Sequence, residues 1–475
     1  MLTPQLLLTS LKTCLNNCKE KSVQFILNNI STNNPEIICN AFNDYFIDIG
    51  TQLANKITGS TNPLKYLNSI QSSIFIPPIL EQEVSEVIHS LNHSSPGWDE
   101  LPAHIFKTCM HKYIKPLTYI INKSICDGIF PDKLKIANII PIFKSGDKSS
   151  VSNYRPISVL TLFSKIFEKI MYNHLTNFIN AHNILYKFQF GFRKQYSTNH
   201  AIISLVERIR SSLSSGKIMI GVFLDLKKAF DTVNHDILLK KLYSYGIRGN
   251  IHNWFKSYLT NRKQFVSMYD MKSETKSISC GIPQGSVLGP LLFILYINDI
   301  SAASDILIPV LFADDTSVFI DGNTPTETMN TLNLELKKIT IWLSANKLTL
   351  NIVKSHYMIF HRARLKHHDN CQVLLGDSAL EHVRFTKFLG MIIDEKLNFT
   401  NHIAYISNTI SKGLGIIYKA RKYLNKNVLV NLYNSYVFPY LTYCVEIWGN
   451  ACDSHLDPLI KLQQKNYSHH YFFSI

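Results

Sequence analysis

A pair of adjacent aspartates in an apolar, strand-forming stretch constrains the fold of this chain more than any other feature. Residues 312–315 are Phe-Ala-Asp-Asp, and apolar runs at 309–311 and 317–320 flank them. This pattern predicts a β-hairpin with Asp314 and Asp315 at its tip, where the turn must bend one of them because side chains alternate along a strand. Two semi-buried anions are costly without a cation, and Mg²⁺ prefers oxygen ligands. The pattern alone indicates a magnesium site and an Asx-type turn on a surface hairpin equally well.

A third carboxylate follows a second apolar run. Residues 218–224 form an almost unbroken apolar segment, as expected of a strand that is buried on both faces. The segment ends at Asp225, and residues 226–231 have the pattern of a turn that leads into a helix. An ionisable group at the end of a buried strand is a candidate functional residue. Together with Asp314 or Asp315 it could hold two metal ions for an in-line displacement at phosphorus, whereas the alternative is a helix cap.

A segment rich in glycine and proline is the third feature. Residues 279–290 contain three glycines and two prolines, which predicts a rigid turn that lets the backbone approach a ligand closely. Residues 291–297 after it have the composition of a core helix. Gln284 offers amide hydrogen bonds to a base or a sugar. Taken alone, such a segment is more often a structural helix start than a binding site.

The composition agrees with a polyanionic partner. The chain has 475 residues and a hydrophobic content of 46%, which excludes general disorder and allows two or three domains. Its formal net charge is +15, and the basic residues are interleaved with Tyr, Phe and His. Such interleaving suits a groove that follows a nucleic-acid backbone and stacks on bases. The alternative is a basic soluble protein without this partner.

The cysteines and the apolar stretches indicate neither a zinc site nor a membrane. Nine cysteines are scattered along the chain, and only Cys14 and Cys18 lie close together, without a Cys/His pair to complete a zinc set. They are interpreted as reduced thiols of a cytosolic or nuclear protein. The apolar stretch 287–297 is too short to span a bilayer. No cationic region precedes the leucines at 6–8, so a signal peptide is not expected.

Three segments in order along the chain, residues 223–231, 281–286 and 312–315, resemble motifs A, B and C of reverse transcriptases. The intervening segments are similar to those of non-LTR (LINE) retrotransposons, most of all the jockey-type elements, and the resemblance covers residues 79 to about 465. It implies an α+β right-hand polymerase with fingers, a palm built on an antiparallel sheet, and a helical thumb. It also implies RNA-directed DNA polymerase activity, in which a dNTP is joined to a primer 3′-hydroxyl on an RNA template. Two Mg²⁺ ions are the implied cofactors, and Mn²⁺ can substitute for them.

The resemblance assigns roles to individual positions. It implies as catalytic residues Asp225, Asp314, Asp315 and Lys354, and as the metal set Asp225, Leu226, Asp314 and Asp315. It assigns the incoming dNTP to Lys144, Arg155, Phe230, Gln284 and Gly285, and the template and primer to Arg193, Leu389 and Gly390. Phe230 matches the aromatic residue that excludes a 2′-hydroxyl, and Lys354 matches a lysine that protonates the departing pyrophosphate. The alternatives are core packing for Phe230, a surface lysine for Lys354, and solvated basic loops for Lys144, Arg155 and Arg193.

The same resemblance divides the chain into four parts. They are a helical connector (1–75), an N-terminal extension of the fingers (76–120), the fingers and palm (121–395), and a helical thumb (396–475). Periodicity also predicts an amphipathic helix at 81–91 and helices from residue 399 onward. A hairpin is expected at 385–390, which resembles the family's motif E.

The two ends of the chain depart from the family pattern. Jockey-type proteins resemble a fusion of an N-terminal endonuclease to the polymerase, and the chain has no room for that domain before residue 75. A truncated form is therefore expected. Residues 466–475 do not fit the family, which suggests a frameshift, a splice error or a decayed copy. His469 and His470 are interpreted as incidental rather than metal-binding.

The expected partners are an RNA template, a DNA primer and dNTPs, without a membrane, and no protein partner is assigned. Nuclear action is expected, preceded by a cytoplasmic ribonucleoprotein. One rival hypothesis is a non-catalytic nucleic-acid-binding remnant of a decayed element, which the missing endonuclease and the unusual tail favour. Another rival is an RNA-dependent RNA polymerase. Phe230 disfavours it, because a phenyl ring offers no polar group to the ribose hydroxyl.

Overall fold

The structure is a computed structural model that describes residues 24–27, 30–57, 61–92, 95–268, 270–362 and 372–468. Its α-helices are α1 (Pro35–Asn55), α2 (Glu81–Ser90), α3 (Ala103–Thr108), α4 (Met110–Asp127), α5 (Leu162–Ala181), α6 (Thr198–Ser214), α7 (His235–Ser244), α8 (Gly249–Leu259), α9 (Gly289–Ile297), α10 (Pro325–Ala345), α11 (Thr400–Ala420), α12 (Lys426–Tyr436), α13 (Phe438–Thr442), α14 (Val445–Trp448) and α15 (Asp453–Ser468). Its β-strands are β1 (Phe25–Leu27), β2 (Ile30–Thr32), β3 (Ile136–Phe143), β4 (Tyr154–Val159), β5 (Ile218–Leu224), β6 (Lys263–Met268), β7 (Met271–Lys272), β8 (Lys276–Ser277), β9 (Ile308–Phe312), β10 (Asp315–Gly322), β11 (His356–Phe360), β12 (Leu374–Leu375), β13 (Ser378–Ala379), β14 (Glu381–His382), β15 (Phe385–Phe388) and β16 (Met391–Asp394). Short 3₁₀ helices lie at Pro63–Tyr66, Asp132–Lys135, Val151–Asn153, Asn298–Ala302 and Ile352–Lys354. The predicted α+β class is confirmed.

A mixed sheet lies at the centre of the molecule, with the strand order β14-β11-β5-β10-β9. The middle strand β5 pairs antiparallel with both β10 and β11, and β14 extends the sheet in parallel beside β11. Every residue of β5 is buried, as the unbroken apolar run predicts. β9 and β10 form an antiparallel hairpin, which confirms the hairpin predicted around the adjacent aspartates.

The side chains of β5 alternate between two hydrophobic cores. Ile220 and Val222 join the larger core, which contains residues of α2, α4, α5 and α7–α10. Met219 and Phe223 point to the opposite side, into a core formed with α6, the β15–β16 hairpin and α11. Gly221 lies between them, and a Cβ atom there would be 2.5 Å from the ring of Phe319. The sheet is therefore covered on both faces.

A second sheet has the strand order β4-β3-β6-β7, with β8 paired to β6. β3 is its central strand, because it pairs antiparallel with β4 and parallel with β6. Helix α1 and the β1–β2 hairpin cover this sheet through a small core that includes Phe25, Phe42 and Phe46 from their side and Ile139 and Val266 from the sheet. The N-terminal segment is thus packed against the rest of the chain.

The other predicted elements agree with the structure where it describes them. The amphipathic helix expected at 81–91 is α2, the hairpin expected at 385–390 is β15–β16, and the helical pattern after residue 399 is α11–α15. The helix predicted after the glycine- and proline-rich segment is α9. Cys14, Cys18 and residues 469–475, with His469 and His470, lie outside the described residues. Among the helices that are described, none is long and apolar enough to cross a bilayer.

Candidate active site

The adjacent aspartates lie at the tip of the β9–β10 hairpin. Phe312 pairs with Asp315, so Ala313 and Asp314 form a two-residue turn, and Ala313 adopts a left-handed φ of 57°. Such turns match the twist of hairpin strands. The preceding loop supports the tip, because Phe190 N donates to Leu311 O at 2.8 Å. The two carboxylates are thus presented at one end of the strands of the central sheet.

The strand register brings Asp225 to the same place. Leu224 of β5 pairs with Thr316 of β10, so the next position along β5 brings Asp225 opposite Asp315. Residues directly opposite each other in an antiparallel pair have Cα atoms about 4.5–5.5 Å apart. Both also continue the face of the sheet that carries Phe223, since side chains alternate along a strand. The sequence predicted this meeting of Asp225 with the hairpin tip.

The electrostatics of Asp315 reflect this crowding. Loss of hydration and the negative charges of Asp314 and Asp225 together raise the pKa of its carboxyl to about 6, while the charge of Lys144 opposes them. Asp315 is nevertheless exposed to solvent. A cation at this position would relieve the repulsion among the three carboxylates.

The oxygen atoms of these side chains are ligands of the kind that a hard divalent cation binds. Three carboxylates supply the oxygen ligands that Mg²⁺ prefers. The bridge between Leu226 and Leu350 uses Lys227 N with Thr349 O and Asn351 N with Asp225 O, so neither bond occupies the carbonyl of Leu226. Within the described part of the chain, no three Asp, Glu, His or Cys side chains are already arranged as a metal-binding group.

Two residues near Lys354 to which the sequence analysis gave no role hold Asp225. Asn351 Nδ2 donates to Asp225 Oδ2 at 2.8 Å, and Asp225 N donates to the hydroxyl of Ser355 at 3.1 Å. The only signal for Asn351 in the sequence is its place three residues before Lys354. Lys354, the residue predicted there, is exposed at the end of a 3₁₀ helix, and its role stays a prediction.

The predicted phosphate-binding cations lie on the β3–β4 hairpin. Arg155 pairs with Ile142, and Lys144 follows β3 directly. A third cation, Lys228, was missed. Its Nζ donates to the carbonyls of Ser152 and Tyr154 at 3.3 Å each. Burial lowers the pKa of Lys228, and the charges of Lys144 and Arg155 lower it further, while Asp231 opposes them. Three cations therefore lie close together, and the charge of Lys144 also acts on Asp315.

The ring of Phe230 is fixed by aromatic neighbours. It stacks on Phe293 with ring centroids 4.5 Å apart, and the ring of Phe192 meets it edge-on at 6.3 Å. The core-packing interpretation of Phe230 is therefore correct. Core packing does not exclude the predicted role of Phe230 in rejecting a 2′-hydroxyl. A ring that is held rigidly is suited to limiting the space beside a bound sugar.

The segment with Gln284 and Gly285 is held at several points. Gln284 O accepts from Ser158 N at 2.7 Å, and Gln284 Nε2 donates to Asp231 Oδ1 at 2.8 Å. Gly285 has a φ of +117°, and a Cβ there would lie 2.6 Å from Ser158 O. Only glycine fits such a position without strain. Gln284 and Gly285 thus lie against Ser158 of β4, and their contact with a nucleotide stays a prediction.

A buried carboxylate that the sequence analysis missed anchors the start of α9. Glu168 accepts from Val287 N at 2.6 Å and from the hydroxyl of Tyr258 at 3.0 Å. Burial raises the pKa of Glu168, and Arg262 opposes this. The sequence carries no signal for this contact, because a glutamate in an amphipathic helix such as α5 is usually exposed.

The residues assigned to template and primer occupy two separate places. Arg193 Nη1 donates to the carbonyls of Tyr186 and Gln189 at 3.2 and 3.0 Å, and its guanidinium lies 4.1 Å from the ring centroid of Tyr196. Leu389 and Gly390 form the turn of the β15–β16 hairpin, with φ values of 46° and 94°. The β15–β16 hairpin packs on the face of the sheet that carries Asp225. The contacts of all three residues with nucleic acid stay predictions.

Comparison with known proteins gives consistent matches. Residues 144–393, more than half of the chain, match the family described as reverse transcriptase (RNA-dependent DNA polymerase). The chain is 30% identical to the RNA-directed DNA polymerase from mobile element jockey of Drosophila melanogaster, over 84% of this chain and 45% of that protein. It is 28% identical to a probable RNA-directed DNA polymerase from transposon X-element of the same species, over 84% and 44%. It is 29% identical to the jockey polymerase of Drosophila funebris, over 83% and 44%. The chain spans less than half the length of these relatives.

Proposed function

This chain belongs to the reverse transcriptase (RNA-dependent DNA polymerase) family, and from that membership we propose that it is the RNA-directed DNA polymerase of a non-LTR retrotransposon. Its substrates are dNTPs, a primer with a free 3′-hydroxyl and an RNA template. The single observation that carries the proposal is the strand register that sets Asp225 opposite Asp315, beside Asp314. The similarity to jockey polymerases supports the choice of element.

We assign the parts of a right-hand polymerase to the observed elements. The central sheet with α6, α9 and α10 corresponds to the palm, and the second sheet with its neighbouring helices to the fingers, together residues 121–395. Residues 76–120 extend the fingers, residues 396–475 form the thumb, and residues 1–75 the connector. The support for this assignment is the place of the carboxylates at one end of the strands of the central sheet. Lys144, which follows β3 of the second sheet, acts on Asp315 through its charge.

The proposed reaction is nucleotidyl transfer. The 3′-oxygen of the primer forms a bond to the α-phosphorus of the dNTP, the bond to the bridging oxygen breaks, and pyrophosphate leaves. Asp225, Asp314, Asp315 and the carbonyl of Leu226 would hold two Mg²⁺ ions, for which Mn²⁺ can substitute. Bound there, the metal supplies charge neutralisation at the phosphoryl oxygens and a lower pKa for the attacking hydroxyl.

The side chains around the carboxylates bind and orient the reactants. The Arg155 guanidinium can bind two phosphate oxygens at once, whereas the Lys144 ammonium acts as a compact charge. Asn351 orients Asp225 through its amide, and the exposed Lys354 is free to give a proton to the pyrophosphate. Positioning and charge supply most of the rate enhancement in such reactions.

The substitution Asp314→Asn tests the proposal. The carboxamide keeps the size of the side chain but removes the charge that holds the metal, so we expect extension of an oligonucleotide-primed RNA by dNTPs to fall at least 100-fold, about 3 kcal/mol in the barrier. Affinity for the template–primer should stay within about three-fold, because the substitution leaves the basic surface intact.

Asp321→Asn is the matched control. Asp321 lies near the other end of β10, paired with Lys217, so this variant should extend the primer as the wild type does. Undiminished extension by Asp314→Asn would contradict the site assignment. Failure of the wild type to extend the primer would favour the non-catalytic nucleic-acid-binding alternative. Extension with NTPs in preference to dNTPs would instead favour the RNA polymerase rival.

A further inference from the structure

Asp231 has a buried carboxyl group that the proposed reaction does not use. It lies in the turn after β5, six residues beyond Asp225. Its Oδ1 accepts the hydrogen bond from Gln284 Nε2 at 2.8 Å. Its Oδ2 is buried and has no hydrogen-bond partner among the described residues. A buried carboxylate with half of its capacity unused is costly, which calls for a reason why this position is acidic.

We propose that Asp231 is a positioning residue that fixes the side-chain amide of Gln284 for the incoming nucleotide. This inference rests on the proposed function. An ionised carboxylate only accepts hydrogen bonds, so it binds the NH₂ end of the amide and leaves Oε1 of Gln284 as the group available to a ligand. A neutral carboxyl group has a donor proton and would also bind the reversed amide. The charge on Asp231 therefore selects one of two orientations.

The backbone of Gln284 does not depend on Asp231. Its carbonyl is held by Ser158 N at 2.7 Å, and the next residue, Gly285, lies against Ser158 O. The loop therefore stays in place when the carboxylate is removed, and only the side-chain amide loses its partner. This separation makes the contribution of Asp231 measurable apart from the folding of the loop.

The groups around Asp231 come from several elements. Lys228 of the same turn supplies a positive charge, and Tyr45 of α1 is a titratable group whose pKa the charge of Asp231 raises. Arg262 lines the same cavity, of about 40 Å³, and its Nε and Nη2 atoms are buried without partners among the described residues. A cavity of this size admits water. Cys280 contacts the carbonyl of Asp231 through its thiol at 3.6 Å.

Burial raises the pKa of Asp231 to about 6, while the Gln284 hydrogen bond and the charge of Lys228 oppose this shift. The carboxyl is therefore ionised at pH 8 and largely neutral at pH 5.5. This gives the geometric argument a second prediction, since the wild type at low pH should resemble a variant that lacks the charge.

A double-mutant cycle with Asp231→Asn and Gln284→Ala tests the inference in the full chain, with oligonucleotide-primed RNA and dNTPs. At pH 8 we expect Asp231→Asn to raise the KM for dNTP at least five-fold, with kcat within three-fold of wild type and unchanged template–primer affinity. In the Gln284→Ala background it should change the KM by less than two-fold, because the two residues act as one unit. The ratio of the variant's KM to that of the wild type should approach 1 as the pH falls to 5.5.

Two results of the double-mutant cycle would overturn the inference. An unchanged KM in Asp231→Asn, or an equal increase in both backgrounds, would show that Asp231 does not act through Gln284. If Asp231→Asn does not fold, Asp231→Ser replaces it in the same cycle with the same expectation. If the wild type extends no primer, the proposed function fails and the inference fails with it, whereas a working wild type with an unaffected variant overturns the inference alone.

Discussion

Asp315 has a raised pKa within the proposed metal site. Desolvation and the charges of Asp314 and Asp225 raise its pKa to about 6, above the ordinary value of about 3.9 in an unfolded chain. The folded protein therefore binds this proton more tightly than the unfolded chain. The contribution of the proton to stability is present at low pH and is lost as the pH rises through about 6.

This decrease in stability with rising pH gives a prediction for the metal-free protein. In EDTA, raising the pH from 5 to 7.5 should lower the free energy of unfolding, measured by urea denaturation, and Asp315→Asn should remove part of that decrease. Adding Mg²⁺ at pH 7.5 should stabilise the wild type, since a ligand that binds only the folded state shifts the equilibrium towards it. A wild type whose stability at pH 7.5 does not respond to Mg²⁺ would contradict the assignment of this metal site.

The residues of the site differ in how far the sequence could reveal them. Asp225, Asp314 and Asp315 were predictable because each stands next to a strand-forming run, where a charge is conspicuous. Asn351 and Lys228 were not, since their roles depend on which strands and loops become neighbours after folding. Asn351 reaches Asp225 only because Leu350 bridges Leu226, and a single sequence does not encode that pairing locally.

At the scale of elements, helix α1 packs against the two segments that carry Asp231 and Gln284 and also covers the second sheet. A Cβ atom at Gly50 would lie 2.1 Å from the carbonyl oxygen of Asp231 and 2.7 Å from the sulfur of Cys280. The hydroxyl of Thr51 lies 3.3 Å from that of Ser279. The helix therefore touches both the turn after β5 and the loop before α9. Sequence reasoning assigned this helix only to a connector, because a glycine on a buried helix face carries no signal of what it approaches.

Substitution of Gly50 by alanine tests this close approach. We expect Gly50→Ala to lower the free energy of unfolding by about 1–3 kcal/mol through overpacking and to raise the KM for dNTP, because the displaced carbonyl moves Asp231. Gly415→Ala is the matched control, since Gly415 also lies in a helix, α11, with open space around its Cβ position. It should be neutral or stabilising by up to about 1 kcal/mol. Equal stability of the two variants in urea denaturation would refute the close packing.

At the scale of the whole molecule, the hydrophobic cores cross the limits of the region that matches the family. The larger core contains Val84, Phe106 and Ile121, which precede residue 144, and the second core contains Phe399 and Ile403, which follow residue 393. The sequence predicted β5, the β9–β10 hairpin and α2 correctly, since each has its own local pattern of apolar residues. The strand order and the sharing of cores were not predictable in this way, because they depend on contacts between distant segments.

These shared cores predict that residues 144–393 do not fold alone. That fragment lacks β3, the central strand of the second sheet, as well as α1–α4 and the C-terminal helices that complete both cores. We expect it to show no cooperative thermal transition by circular dichroism and to bind the dye ANS through exposed apolar surface. A fragment of residues 24–468, which keeps all of these elements, is the control and should unfold cooperatively without binding the dye. A cooperative transition in the shorter fragment would mean that residues 144–393 fold without the flanking segments, and would contradict this prediction.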